Sequence, residues 1–116
     1  MSIVANIAVA AVALIHIYIL VLEMFLWEKP AGMRAFGLSR EFASATKMLA
    51  ANQGLYNGFL AAGLLWGMGA GDIRVQLFFL GCVLIAGIYG AITASKKILW
   101  VQAAPALVAL ILVGMG

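Results

Sequence analysis

Charge is scarce in this sequence. Only 9% of its 116 residues are Asp, Glu, Lys or Arg, while 66% are hydrophobic. A soluble domain carries about 25% charged residues, so this composition argues against a soluble globular protein and for one domain that meets lipid. Cysteine is almost absent. Cys82 stands alone in an apolar run, which rules out an intrachain disulfide and suits a small packing residue. The sequence has no phosphate-binding glycine loop, no CxxC and no Ser-His-Asp arrangement. Its single histidine, His16, and Glu23 are seven residues apart, which is not the i, i+3 or i, i+4 spacing of a helical metal pair. Neither metal nor cofactor is expected. The net charge of +3 is no nucleic-acid signal, because the basic residues lie beside the ends of apolar segments, where a membrane protein keeps them.

Long apolar runs are what the chain has in abundance. A helix crosses the hydrocarbon core with roughly 20 apolar residues. Four segments approach that length: about Ile3 to Trp27, Met48 to Met68, Val75 to Thr93 and Ile98 to Met115. The first has no positive charge ahead of it and outlasts the ~7–15 residues of a signal-peptide core, so it reads as a retained span. The predicted fold is all-α, a bundle of four transmembrane helices forming a single integral membrane domain over residues 1–116, with one longer loop after the first span.

The basic residues orient these spans. Lys29, Arg34, Arg40 and Lys47 fall in the first loop and Lys96 and Lys97 in the third, six on one side against Arg74 alone on the other. The positive-inside rule places those two loops in the cytoplasm and both termini outside. Trp27 and Trp100 then lie at the cytoplasmic interface and Trp66 at the outer one.

The first loop begins "EKPAG", where Pro30 and Gly32 are expected to break the helix. In "LSREFASATK", Ser39 suits an N-cap, and Phe42, Ala45 and Leu49 recur at helical spacing. This predicts a short amphipathic helix, either running straight into the second span or lying on the membrane surface. "GAGDIR" and "ASKK" are tight turns that make spans two, three and four antiparallel neighbours. Small residues four apart let helices approach closely in lipid. They form three stripes, Gly54/Gly58/Ala62, Gly63/Gly67/Gly71 and Ala86/Gly90/Ala94, and one of them could serve a homo-oligomer.

Polar residues inside spans are the candidates for function. His16 and Glu23 project from one face of the first span, about 10 Å apart along its axis. The second span opens "ANQGLYNGF", clustering Asn52, Gln53, Tyr56 and Asn57. Antiparallel packing puts Glu23 near the depth of Asn52 and Gln53, and His16 near that of Asn57, a polar seam between spans one and two. Glu23 could accept a proton or hold a cation, His16 titrates near neutral pH, and Arg34 and Arg40 could meet an anionic headgroup at the mouth. Such a seam could equally be interhelical hydrogen bonds that only hold the spans together.

At "EMFLWEKPAG", "FGLSREFASATKMLAANQGLYNGFLAAGLLWG" and "KKILWVQAAPALVAL", the chain resembles a family of small bacterial membrane proteins known as the domain of unknown function numbered 1304. The resemblance covers essentially the whole chain. It implies four helices in a bacterial cytoplasmic membrane and no particular activity. In architecture the chain is also similar to small multidrug-resistance exporters, with their four spans and first-span carboxylate, although Glu23 stands near a helix end. It is similar as well to the membrane-associated eicosanoid and glutathione metabolism family, whose carboxylate one turn after an asparagine is replaced here by Leu55. Three readings follow: binding or transport of a small amphipathic or lipid-like molecule at the seam, catalysis on a lipophilic substrate with Glu23 or His16 as acid/base, or a structural subunit.

Overall fold

The computed structural model describes residues 2–116. Among them the chain is all-helical, in the order α1 (Ile3–Phe25), α2 (Pro30–Phe36), α3 (Arg40–Ala70), α4 (Ile73–Thr93), a π-helical turn (Leu99–Ala103) and α5 (Ala104–Met115). Two helices, α1 and α4, are long and apolar enough to cross a membrane by length and composition. The second expected span is diluted by its asparagines and glutamine, and the fourth is a shorter apolar stretch, Leu99–Met115.

Several boundaries differ from those the sequence predicts. The chain leaves the helix at Leu26 rather than after Trp27, and Pro30 starts a helix instead of ending one. A proline is at home in the first helical turn, where its missing N–H would have no partner anyway. The amphipathic stretch after Ser39 is continuous with the second segment, making α3 a single helix of 31 residues. Ser39 Oγ accepts from the Phe42 N–H at 3.1 Å, the expected N-cap. Gly71 ends α3 in the left-handed region with φ 65°, and Asp72 at once caps α4 by accepting from the N–H groups of Arg74 and Val75. The tight turn at "GAGDIR" is therefore two residues long.

The fourth segment is interrupted by its own proline. Pro105 has no N–H to give the carbonyl of Val101, and its ring crowds that position. The preceding turn widens to π geometry over Leu99–Ala103 before α5 resumes.

The described residues form two compact units. One combines the chain up to Ile15 with Leu60–Gly116. Its core is built of small side chains: Ala5, Val9, Val12 and Ala13 from α1, Leu64 from α3, Leu80 and Val83 from α4, and Ala106, Ala109 and Val113 from α5. Alanine and valine at these positions let the helices pack closely by van der Waals contact. The α4–α5 contact is tightest at Gly87, where a Cβ would stand 2.8 Å from the backbone nitrogen of Ala103. The sequence points instead to Ala86, Gly90 and Ala94, yet Ala86 and Ala94 face outward. The other unit is His16–Phe59. It holds the second half of α1, all of α2 and the first part of α3, and it contains every predicted site residue.

Candidate functional site

Within the His16–Phe59 unit, α1 and α3 approach because Gly54 has no side chain. A Cβ there would lie 2.6 Å from Met24 Cγ and 3.1 Å from Glu23 Cβ. Asn57, one turn further along α3, is thereby brought against Glu23, and its Nδ2 donates to Glu23 Oε1 at 2.6 Å. Glu23 and Asn57 are both half-buried. This side-chain hydrogen bond ties α1 directly to α3.

The expected seam is otherwise rearranged. Asn57 meets Glu23 and not the level of His16. The buried stripe of α3 runs through Ala43, Ala50, Gly54 and Asn57, and Asn52, Gln53 and Tyr56 fall outside it and are exposed. Tyr56 stacks edge-on with Phe59 at 5.8 Å on that outer face. His16 is fully buried, two turns from Glu23 on α1.

Beside Glu23 is a cavity of about 280 Å³. Glu23 contributes to its wall, together with the apolar side chains of Met24, Phe25, Trp27, Met48 and Ala51. Glu28, Lys29 and Lys47 complete it. Arg34 and Arg40, expected at the mouth, do not line it: Arg34 sits in the last turn of α2, where the helix dipole favours a cation, and Arg40 opens α3. The charged lining comes instead from the turn after α1 and from α3.

Two cross-links hold this lining together. The Trp27 indole N–H donates to Thr46 Oγ1 at 3.1 Å, and Thr46 donates in turn to the Phe42 carbonyl at 2.7 Å. Lys47 pairs with Glu28 at 3.4 Å, with both side chains about half-exposed. An ion pair so exposed contributes only about 0–1 kcal/mol, whereas the indole N–H needs its acceptor. Thr46→Val is expected to destabilise the protein by about 1 kcal/mol and to shift Trp27 emission, and Lys47→Ala by less than about 0.5 kcal/mol. Equal losses in equilibrium unfolding would show that the indole bond contributes nothing.

Sequence reasoning passed over one buried polar residue. Gln76, one turn into α4, is fully buried, and its Nε2 donates to the Gly67 carbonyl at 3.1 Å. Its Oε1 has no hydrogen-bond partner among the described residues. The available signal was an amide within an otherwise apolar run.

The sequence profile described as "Protein of unknown function (DUF1304)" matches residues 10–114. The chain belongs to this family. Over 115 residues it is 31% identical to a relative described as the uncharacterized protein YpaA of Lactococcus lactis subsp. lactis (strain IL1403), covering 96% of this chain and 97% of the relative. No solved structure matches the chain. The family match spans Glu23, Asn57 and the whole cavity lining, and confirms the family resemblance carried by the "NQGLYNGFLAAGL" string.

Proposed function

We propose that this DUF1304 chain is a four-span protein of a bacterial cytoplasmic membrane that binds a small amphipathic molecule in the Glu23 cavity. Membrane residence is supported by what faces outward. Ile7 and Leu14 on α1 are 63% and 65% exposed, and Phe78, Ile85 and Ile92 on α4 are 65%, 70% and 79% exposed. Soluble monomers rarely expose an apolar patch beyond a few hundred Å², and less than a third of either spanning helix is buried. The 17-residue stretch Leu99–Met115 rises about 26 Å, enough at the short end of the spanning range. The six-to-one charge bias supports a cytoplasmic side for the first and third loops.

The observation that carries the binding reading is the Glu23 carboxyl group, held by Asn57, in the wall of a cavity that combines apolar side chains with three further charged ones. Small-molecule sites combine apolar walls with a few placed polar groups, and this one has both. Its volume lies just under the ~300–1,000 Å³ of drug-sized pockets, so the occupant is small. The reading is one of binding; flux through reconstituted vesicles would extend it to transport. The structural reading has support of its own in the Glu23–Asn57 bond, which ties α1 to α3 whether or not the cavity is filled.

The test uses the full chain in lipid nanodiscs with Trp66→Phe and Trp100→Phe, leaving Trp27 as the reporter in the cavity wall. Eight-carbon amphiphiles are expected to change its emission saturably, with at least tenfold weaker binding after Glu23→Leu. Linear, unsaturable partitioning that is identical in both proteins would leave only the structural reading.

A further inference from the structure

The charges around the cavity do not all compensate one another. Four ionisable side chains line it: Glu23, Glu28, Lys29 and Lys47. Glu28 and Lys47 pair with each other and are satisfied within the protein. That leaves Glu23 and Lys29. Glu23 is held by a neutral amide, Asn57 Nδ2 donating to its Oε1, and it forms no ion pair among the described residues. Lys29 forms no ion pair among the described residues and stands exposed just beyond the turn that ends α1. Between the two along the chain come Met24, Phe25 and Trp27, three apolar walls of the same cavity. The uncommitted groups are therefore an acid on the helix and a base on the exposed turn, with apolar residues beside them in the same lining.

We infer that the cavity is built for a small zwitterion with an apolar middle, its amine directed to Glu23 and its acidic group to Lys29. This rests on the binding reading above and narrows it to a chemical class. A ligand with only an amine would leave Lys29 uncompensated, and one with only an acid would bring a second negative charge beside Glu23. Opposite charges at both ends answer both groups, and the apolar lining residues Met24, Met48 and Trp27 suit the methylene chain. Because the amine and a proton compete for the same carboxyl, binding weakens as the medium is acidified. The other titratable groups lining the site, Glu28, Lys29 and Lys47, are separated from this effect by their own substitutions.

The experiment compares three probes of equal chain length, octylamine, octanoate and 8-aminooctanoate, using the Trp27 reporter protein in nanodiscs of neutral lipid. The zwitterion is expected to bind at least tenfold more tightly than either single-ended probe. Glu23→Gln, which keeps an acceptor for Asn57, should make 8-aminooctanoate bind no better than octanoate and remove the pH dependence. Lys29→Gln should make it bind no better than octylamine and leave the pH dependence in place. If octylamine binds as tightly as the zwitterion, and Lys29→Gln changes neither, the cavity is a binding site but the zwitterion assignment is overturned. If no probe binds saturably, the binding reading falls and this inference with it.

Discussion

Replacing Asn57 by leucine is expected to destabilise the protein by about 2 kcal/mol, whereas Glu23→Gln should change its stability by no more than about 0.5 kcal/mol. The asymmetry comes from which partner is left. Asn57→Leu strands a half-buried carboxyl oxygen that has lost its donor, and a stranded buried polar group costs about 1–3 kcal/mol, more if charged. Glutamine at position 23 still presents a carbonyl oxygen to Asn57 Nδ2, so the bond survives in weaker, neutral form. Hydrogen bonds between membrane helices average only ~0.6 kcal/mol and reach ~1.7. The upper part of that range applies here because the contact is short, 2.6 Å. Equilibrium unfolding in mixed micelles, run as a double-mutant cycle, reads the coupling directly. A coupling near zero would mean that the two side chains are neighbours without being partners.

Gly87→Ala and Gly81→Ala should move stability in opposite directions, although both exchange glycine for alanine in the same helix. In an exposed helix interior the exchange gains about 1 kcal/mol, since alanine restricts the unfolded chain and favours the helix. A Cβ on Gly81 meets nothing within 4 Å, so that gain is expected in full. At Gly87 the new atom would stand 2.8 Å from the Ala103 nitrogen and 3.0 Å from its Cβ. These are backbone and near-backbone atoms that cannot swing aside like the end of a long side chain, and overpacking of this kind costs about 1–3 kcal/mol. The propensity gain is common to both, so the two variants should differ by the overpacking cost, about 1–3 kcal/mol in unfolding. If Gly87→Ala proves as stable as Gly81→Ala, α4 and the π-helical turn are not in close contact.

Much of the secondary structure is set by local chemistry. Ser39 caps α3, Gly71 and Asp72 make the turn into α4, and the scarcity of charge forces the helices to expose apolar faces. Each of these depends on neighbours a few residues away, so a sequence reading reaches it. The π-helical turn has a local cause too, the missing N–H of Pro105. The helix beginning at Pro30 was readable in principle: proline as a breaker and proline as a first-turn residue differ only in whether a helix follows.

The candidate site was legible only as a list of side chains. The sequence alone determined that Glu23 and His16 share a face of one helix and that four polar residues crowd a stretch of another, because both facts follow from 3.6 residues per turn. It could not determine which of those four meet Glu23. At 3.6 residues per turn Asn57 points about 40° from Gln53, about 100° from Tyr56 and about 140° from Asn52, so the rotational setting of one helix against the other decides which of them meets Glu23. The tertiary structure decides this at Gly54, where the lack of a side chain lets α1 and α3 pack closely with Asn57 inward and the other three outside. The same cause selects Gly87 over Ala86: periodicity marks a face, but the depth to which a neighbouring backbone approaches it is decided only when the helices pack.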